Sequence, residues 1–198
     1  MSTPPILVAG RGEATEFQRR QFTSPELAAI RYADPAAWMT AAAVANAMEA
    51  PALRDAIAAD HDRVGVIAIS AEGPIEAMAA MCDATKSGSS SPIRFPASNA
   101  GSLAGLTSIA FSFRGPTLML TLPARRGAPV AFTLAEAWLT REVAGFVVVS
   151  CCGRRGDGQP VARSLWLRAA APAVGAAPLD RGSDVDWLAA LPASVDAT

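Results

Sequence analysis

Short apolar runs alternate with longer stretches of helical spacing along most of this chain. Ile6 to Ala9 is a compact apolar run ahead of Gly10 and reads as a buried strand. Pro25 to Ala59 is helical in composition with breaks at Pro35 and Pro51. Ser24 and Pro25 supply an N-cap and a first helical residue. Val64 to Ser70 is rich in β-branched residues and predicts a central strand. Gly73 opens a helix to about Thr85, where the KSGSSSP loop stops it. Asn99 to Phe113 predicts a helix of small residues, closed by Arg114-Gly115-Pro116. A strand follows over Thr117 to Leu122, then an amphipathic helix over Ala128 to Arg141. Phe146 to Ser150 is again a buried strand. Beyond the turn-rich stretch from Gly153 to Pro160, Val161 to Ala169 reads as its hairpin partner. From about Ala170 the Pro/Gly/Ala-rich sequence loses periodicity, and Asp184 to Leu191 predicts one short terminal helix. Strands alternating with helices in this order predict a layered α/β fold.

Composition narrows the picture. A chain of 198 residues that is 51% hydrophobic and 18% charged can bury a real core and is not disordered. A formal net charge of −1 gives no reason to expect nucleic acid or an anionic membrane as partner. No apolar run reaches the roughly 18 to 20 residues of a membrane helix. The best, Ala36 to Met48, is too short and is interrupted by Thr40 and Asn46. The opening MSTPPILVAG has no basic stretch of the secretory kind. Cys82, Cys151 and Cys152 form neither a metal nor a disulfide pattern, so reduced thiols in a cytoplasm are expected. Cys151 and Cys152 end a predicted strand and precede Gly153-Arg154-Arg155. Guanidiniums lower a nearby thiol's pKa, so one reading is an enzyme with a cysteine nucleophile there.

The most telling stretch runs from Ser91 to Gly127, SPIRFPASNAGSLAGLTSIAFSFRGPTLMLTLPARRG. Ser91, Pro92, Pro96, Ala104, Gly105, Arg114, Gly115, Pro116 and Gly127 stand at the spacing of a pattern carried by the β-ketoacyl synthases, which this segment resembles. In that family the strand after R-G-P leads to a catalytic cysteine. Here the slot holds Ala124, and a methyl group cannot attack a thioester. The resemblance opens at Ile6-Leu7-Val8-Ala9-Gly10-Arg11-Gly12, passes Arg63-Val64-Gly65 and reaches Cys151, covering roughly residues 5 to 153. It implies the N-terminal half of a thiolase-like α/β fold, a mixed sheet with helices on both faces. Residues 1–169 would form that domain and 170–198 a tail. The family's two catalytic histidines lie in its C-terminal half, whereas this chain has only His61, in a polar Asp60-His61-Asp62 turn.

Together these departures resemble the chain length factors, ketosynthase-like subunits without the cysteine, and in particular shortened forms from polyene and aryl polyene pathways. The resemblance implies a subunit that is not an enzyme on its own and uses no cofactor. It would pair with a full-length ketosynthase as a heterodimer, shape its acyl tunnel, and meet the acyl carrier protein through the complex. Ile75, Met78 and Met81, with Cys82, share one helical face that the family places at the distal tunnel wall. Glu72 sits at the turn before that helix, and Arg94 and Phe95 would face the partner. Phe111, Thr117, Met119 and Thr121 complete the expected tunnel and interface set, and Arg125 and Arg126 are expected to meet the partner or the carrier protein. A half fold leaves an apolar face and an apolar strand edge, which call for a partner. The alternative is a free-standing acyl- or acyl-carrier-binding module on the same fold.

Overall fold

The computed structural model describes residues 4–16, 32–89, 91–156, 158–170 and 177–190. The capping pair Ser24-Pro25 and the first residues of its predicted helix lie outside them. Six strands form one mixed sheet, ordered β3-β2-β4-β5-β1-β6. These are β1 (Ile6–Ala14), β2 (Val64–Ile69), β3 (Thr117–Leu120), β4 (Phe146–Arg154), β5 (Pro160–Ala169) and β6 (Ala177–Pro178). The helices are α1 (Pro35–Asn46), α2 (Pro51–Ala59), α3 (Ile75–Lys86), α4 (Ser102–Phe111), α5 (Ala124–Thr140) and α6 (Arg181–Ala189).

β2 is parallel to both β3 and β4, while β5 is antiparallel to β4 and to β1. Every residue of β2 is buried, as its unbroken apolar run requires at the middle of a sheet covered on both sides. One face packs against α1, α2 and α4, the other against α5 and α6. Successive side chains of β4 divide accordingly: Phe146, Val148 and Cys152 join the first core, and Val147, Val149 and Cys151 the second. Trp166 of β5 anchors the first core, with Phe113 and Phe146 edge-on at 5.7 and 6.5 Å.

α1 is buried continuously from Ala36 to Val44 because it lies between the sheet and α4. Alanine makes that depth possible, since small side chains let backbones approach. β1 approaches closest: a Cβ on Gly10 would collide with the Ala47 carbonyl, and one on Gly12 with the Ala43 carbonyl and Ala47 amide. These glycines therefore lie within a strand that runs to Ala14, rather than in a turn after Ala9. Asp34 caps α1, its Oδ1 accepting from Ala36 N at 2.8 Å ahead of Pro35.

The described residues after Gly153 pack on this domain. β6 pairs with β1, and α6 packs against α5. Asp184, almost fully buried, receives Arg11 of β1, and Trp187 lies between the guanidiniums of Arg11 and Arg163 at 5.9 and 5.3 Å.

Candidate functional site

The site is built where the parallel strands β2, β3 and β4 end. Among the described residues β3 lies at the edge of the sheet and pairs only with β2. Leu118 and Leu120 pack toward the α5 core and Met119 toward the α1 core. The strand stops at Leu120, two residues short of expectation, and α5 begins four residues earlier than expected, at Ala124. The reason is local. The Pro123 carbonyl accepts from both Arg126 N and Gly127 N at 2.9 Å, closing the first turn. Gly127 lets that turn pass directly over Ile69 of β2, which a Cβ would strike. Gly115, at the start of β3, is likewise needed where the chain crosses the Val64 carbonyl. The R-G-P and terminal glycines of the sequence pattern thus serve the strand–turn–helix elbow itself.

Ala124 is the first residue of α5, half-buried against the α5-side core. A helix N-terminus is where a thiolate would be stabilised, but a methyl group occupies it. Arg125 and Arg126 follow in the first turn, both exposed and, among the described residues, in no ion pair. His61 lies before the start of β2, at the opposite end of the strands from Ala124. It is exposed, with Nδ1 3.1 Å from the Ala58 carbonyl and Nε2 3.4 Å from Asp62. Among the described residues no three His, Cys, Asp or Glu side chains are grouped to hold a metal.

The cysteine-nucleophile reading does not survive the structure. Cys151 and Cys152 are buried on opposite faces of β4. Burial pushes the Cys152 thiol up to about 12, outweighing the lowering by Thr40 and Arg154, while Asp34 and Glu72 raise it further. Burial and the neighbouring Cys152 raise Cys151 as well. Arg154 is committed elsewhere: its Nε donates to Glu72 at 2.9 Å, Nη2 to Glu76 at 2.8 Å and Nη1 to the Gly158 carbonyl at 2.6 Å.

That clamp explains α3, a helix with no buried residue. Two polar tethers hold its first turn. One is Arg154 through Glu72 and Glu76. The other is the buried carboxylate of Asp34, whose Oδ2 accepts from Ala77 N at 2.9 Å. Glu72 is thus an ion-pair anchor of the chain itself. Ile75 and Met78 are exposed, Met81 is half-buried and Cys82 is exposed. α3 packs beside the short helical turn Phe95–Ser98, where Phe95 is 65% exposed, and Ile93 just ahead of it is 63% exposed. Behind this turn opens a concavity of about 500 Å³, walled by Ile93, Phe95, Leu106 and Ile109. Arg94 lies over the Tyr32 ring at 5.0 Å.

Ile75, Met78 and Met81 lie on α3, which packs beside the turn that carries Phe95. The structure places Thr117, Met119, Thr121, Ala124, Arg125 and Arg126 along a second region, the β3 edge and its elbow. Phe111 belongs to neither: it stacks on Phe113 at 5.3 Å and lines a separate concavity with Met48, Ile57 and His61. Sequence reasoning missed Asp34, Ile93 and Ile109, and took Arg154 for a neighbour of the thiols, not a clamp on α3. The Asp34-Pro35 pair was a readable capping signal. Arg154 had none, because its carboxylate partners lie 78 and 82 residues away.

No protein-family model matches the sequence, and no curated protein matches it. Solved structures do. The ishigamide ketosynthase/chain length factor superposes with a TM-score of 0.67 at 14% identity, over 88% of this chain and 64% of that one. The chain has the thiolase-like fold of ketosynthases and chain length factors. The ketosynthase fold also aligns with a type II polyketide synthase acyl-carrier protein–ketosynthase complex, AntDE:AntF, bound to the hexaketide. There the TM-score is 0.63 at 15% identity, over 85% of this chain and 63% of that one. A third match is the complex of the ketosynthase ApeO with its chain length factor ApeC from Xenorhabdus doucetiae. It has a TM-score of 0.59 at 14% identity, covering 94% of this chain and 92% of that one. The chain spans just under two thirds of the matched chain in the first two structures and nearly all of the matched chain in the third.

Proposed function

We propose that this chain is a non-catalytic, chain-length-factor-like subunit that pairs with an active ketosynthase and forms part of its acyl tunnel wall. The assembly would make a polyketide or polyene, aryl polyenes included, or a related fatty acyl chain, on an acyl carrier protein. The observation that carries this reading is Ala124: an intact strand–turn–helix elbow presents a methyl group at its helix N-terminus. Ketosynthases with chain length factors among the structures that share this fold support a partner role.

Two surfaces fit it. The unpaired edge of β3 offers a strand for an antiparallel neighbour. Ile75, Met78, Ile93 and Phe95, on α3 and the neighbouring turn, leave apolar side chains in water, as an interface does before it is covered. Methionine there suits a wall that adapts to chains of differing length.

The test is co-expression with a full-length ketosynthase encoded beside this chain, followed by size exclusion with mass detection. A one-to-one complex is expected, and substitutions at Met78 and Phe95 in that complex should shift the length of the product. A stable monomer that ignores the ketosynthase would overturn the reading. It would favour an acyl-binding module using the 500 Å³ concavity instead.

A further inference from the structure

We propose that the β3 edge selects against a second copy of this chain and for a different chain whose pairing strand is flanked by carboxylates. The inference rests on β3 being the pairing edge and adds what chooses the partner. The Pro116 and Leu120 carbonyls accept from Val66 N and Ser70 N of β2. By strand alternation Thr117 and Met119 therefore direct their own N–H and C=O groups outward. No charge, proline or bulge within Thr117–Leu120 blocks that edge.

Charge sits instead at the two ends of the strand, and it has one sign. From Ser87 to Ala135 the chain carries Arg94, Arg114, Arg125 and Arg126 and no acidic residue, so all 18 Asp and Glu lie elsewhere. Arg114 precedes β3; Arg125 and Arg126 follow it in a first helical turn that contains no acid. The carboxylate that Arg114 meets is Asp62, 3.6 Å away and also 3.4 Å from His61. Both members of the Arg114–Asp62 pair are mostly exposed, so water screens it.

Self-pairing about a two-fold axis would set the start of each β3 beside the end of the other. Arg114 with Asp62 would then meet Arg125 and Arg126 of the second copy, three guanidiniums against one carboxylate, and symmetry repeats this at the other end. A foreign strand with acidic flanks satisfies the same arginines. Repulsion against the wrong partner and attraction to the right one are both present in one charge pattern.

Sedimentation equilibrium of the purified chain in about 50 mM and about 500 mM NaCl tests this, with hydrogen exchange at Thr117 and Met119 reporting β3 pairing. Wild type should not pair through β3 at low salt, and any such pairing should strengthen with salt. R114E places two carboxylates opposite two guanidiniums at both ends. It should pair through β3 with a dissociation constant about tenfold lower than wild type, weakening with salt. R114E/R125E/R126E, uniformly acidic there, should lose that pairing again. Wild type pairing as tightly as R114E would overturn the proposal, as would folded R114E that does not pair. If circular dichroism shows R114E unfolded, R125Q/R126Q decides: it must self-associate through β3 more tightly than wild type. Equal behaviour of these variants would remove charge as the selector and leave the ketosynthase reading standing. Absence of a ketosynthase complex would leave these comparisons unaffected.

Discussion

Cys151 and Cys152 ionise only by placing a thiolate in the packed interior of a β-strand, which is why their pKa values rise on folding. In the unfolded chain the same thiols titrate near 8.5. The sign of the pH dependence follows. The folded state keeps its protons to higher pH, so this contribution is complete below about pH 8.5 and is lost as pH climbs toward 12. The slope reaches about 1.4 kcal/mol per pH unit for each thiol. Wild type should lose denaturation midpoint between about pH 8.5 and 10.5, and C151A/C152A should show a flatter profile from a lower starting stability. Labelling with iodoacetamide near pH 8 gives an independent check: exposed Cys82 reacts, and the other two react only on unfolding. A fast second label would contradict the buried assignment.

Among the elements, α3 depends most on a few contacts, because Arg154 and Asp34 do what apolar burial does for the other helices. R154Q should lower the free energy of opening α3 by about 1–2 kcal/mol, seen as roughly 5- to 30-fold faster amide exchange over Ile75–Lys86. β4 and β5 should keep their protection, and a uniform loss across the sheet would refute a local clamp. The same contrast explains what could be read from the chain. β2, β4, β5 and the helices packed on them are legible because burial writes a continuous or periodic apolar pattern. β1 was cut short at Gly10 because a glycine needed for close packing against α1 looks like one needed for a turn. The expected helix began at Ala128 because Arg125, Arg126 and Gly127 ahead of it carry no apolar periodicity. Yet all three stand within the helix, and Gly127 is there for Ile69. Of the site, Ala124 was marked by the family resemblance, and the α3 helix by its apolar spacing. The Arg154 clamp joins residues remote in sequence, and local pattern carries no sign of it.

At the scale of the molecule, both faces of the sheet are covered, but α3 and the turn after it leave apolar side chains in water. The isolated chain should therefore enhance the fluorescence of a hydrophobic dye such as ANS, and I93S/F95S should cut that signal by about half while leaving the melting transition nearly unchanged. An unaltered signal would locate the exposed surface elsewhere. The strand order has a separate outcome, set by the direction of protein synthesis. β1 is made before β2 to β6, yet among the described residues its sheet neighbours are β5 and β6, with Ile6 opposite Ala169 and Leu7 opposite Pro178. On the ribosome β1 must wait, unpaired, until nearly the whole domain has emerged. Closure of the sheet is then a late event over a long sequence separation, the kind of contact that slows folding most. A ribosome stalled before residue 160 would carry β2, β3 and β4 with no place yet for the strand it made first.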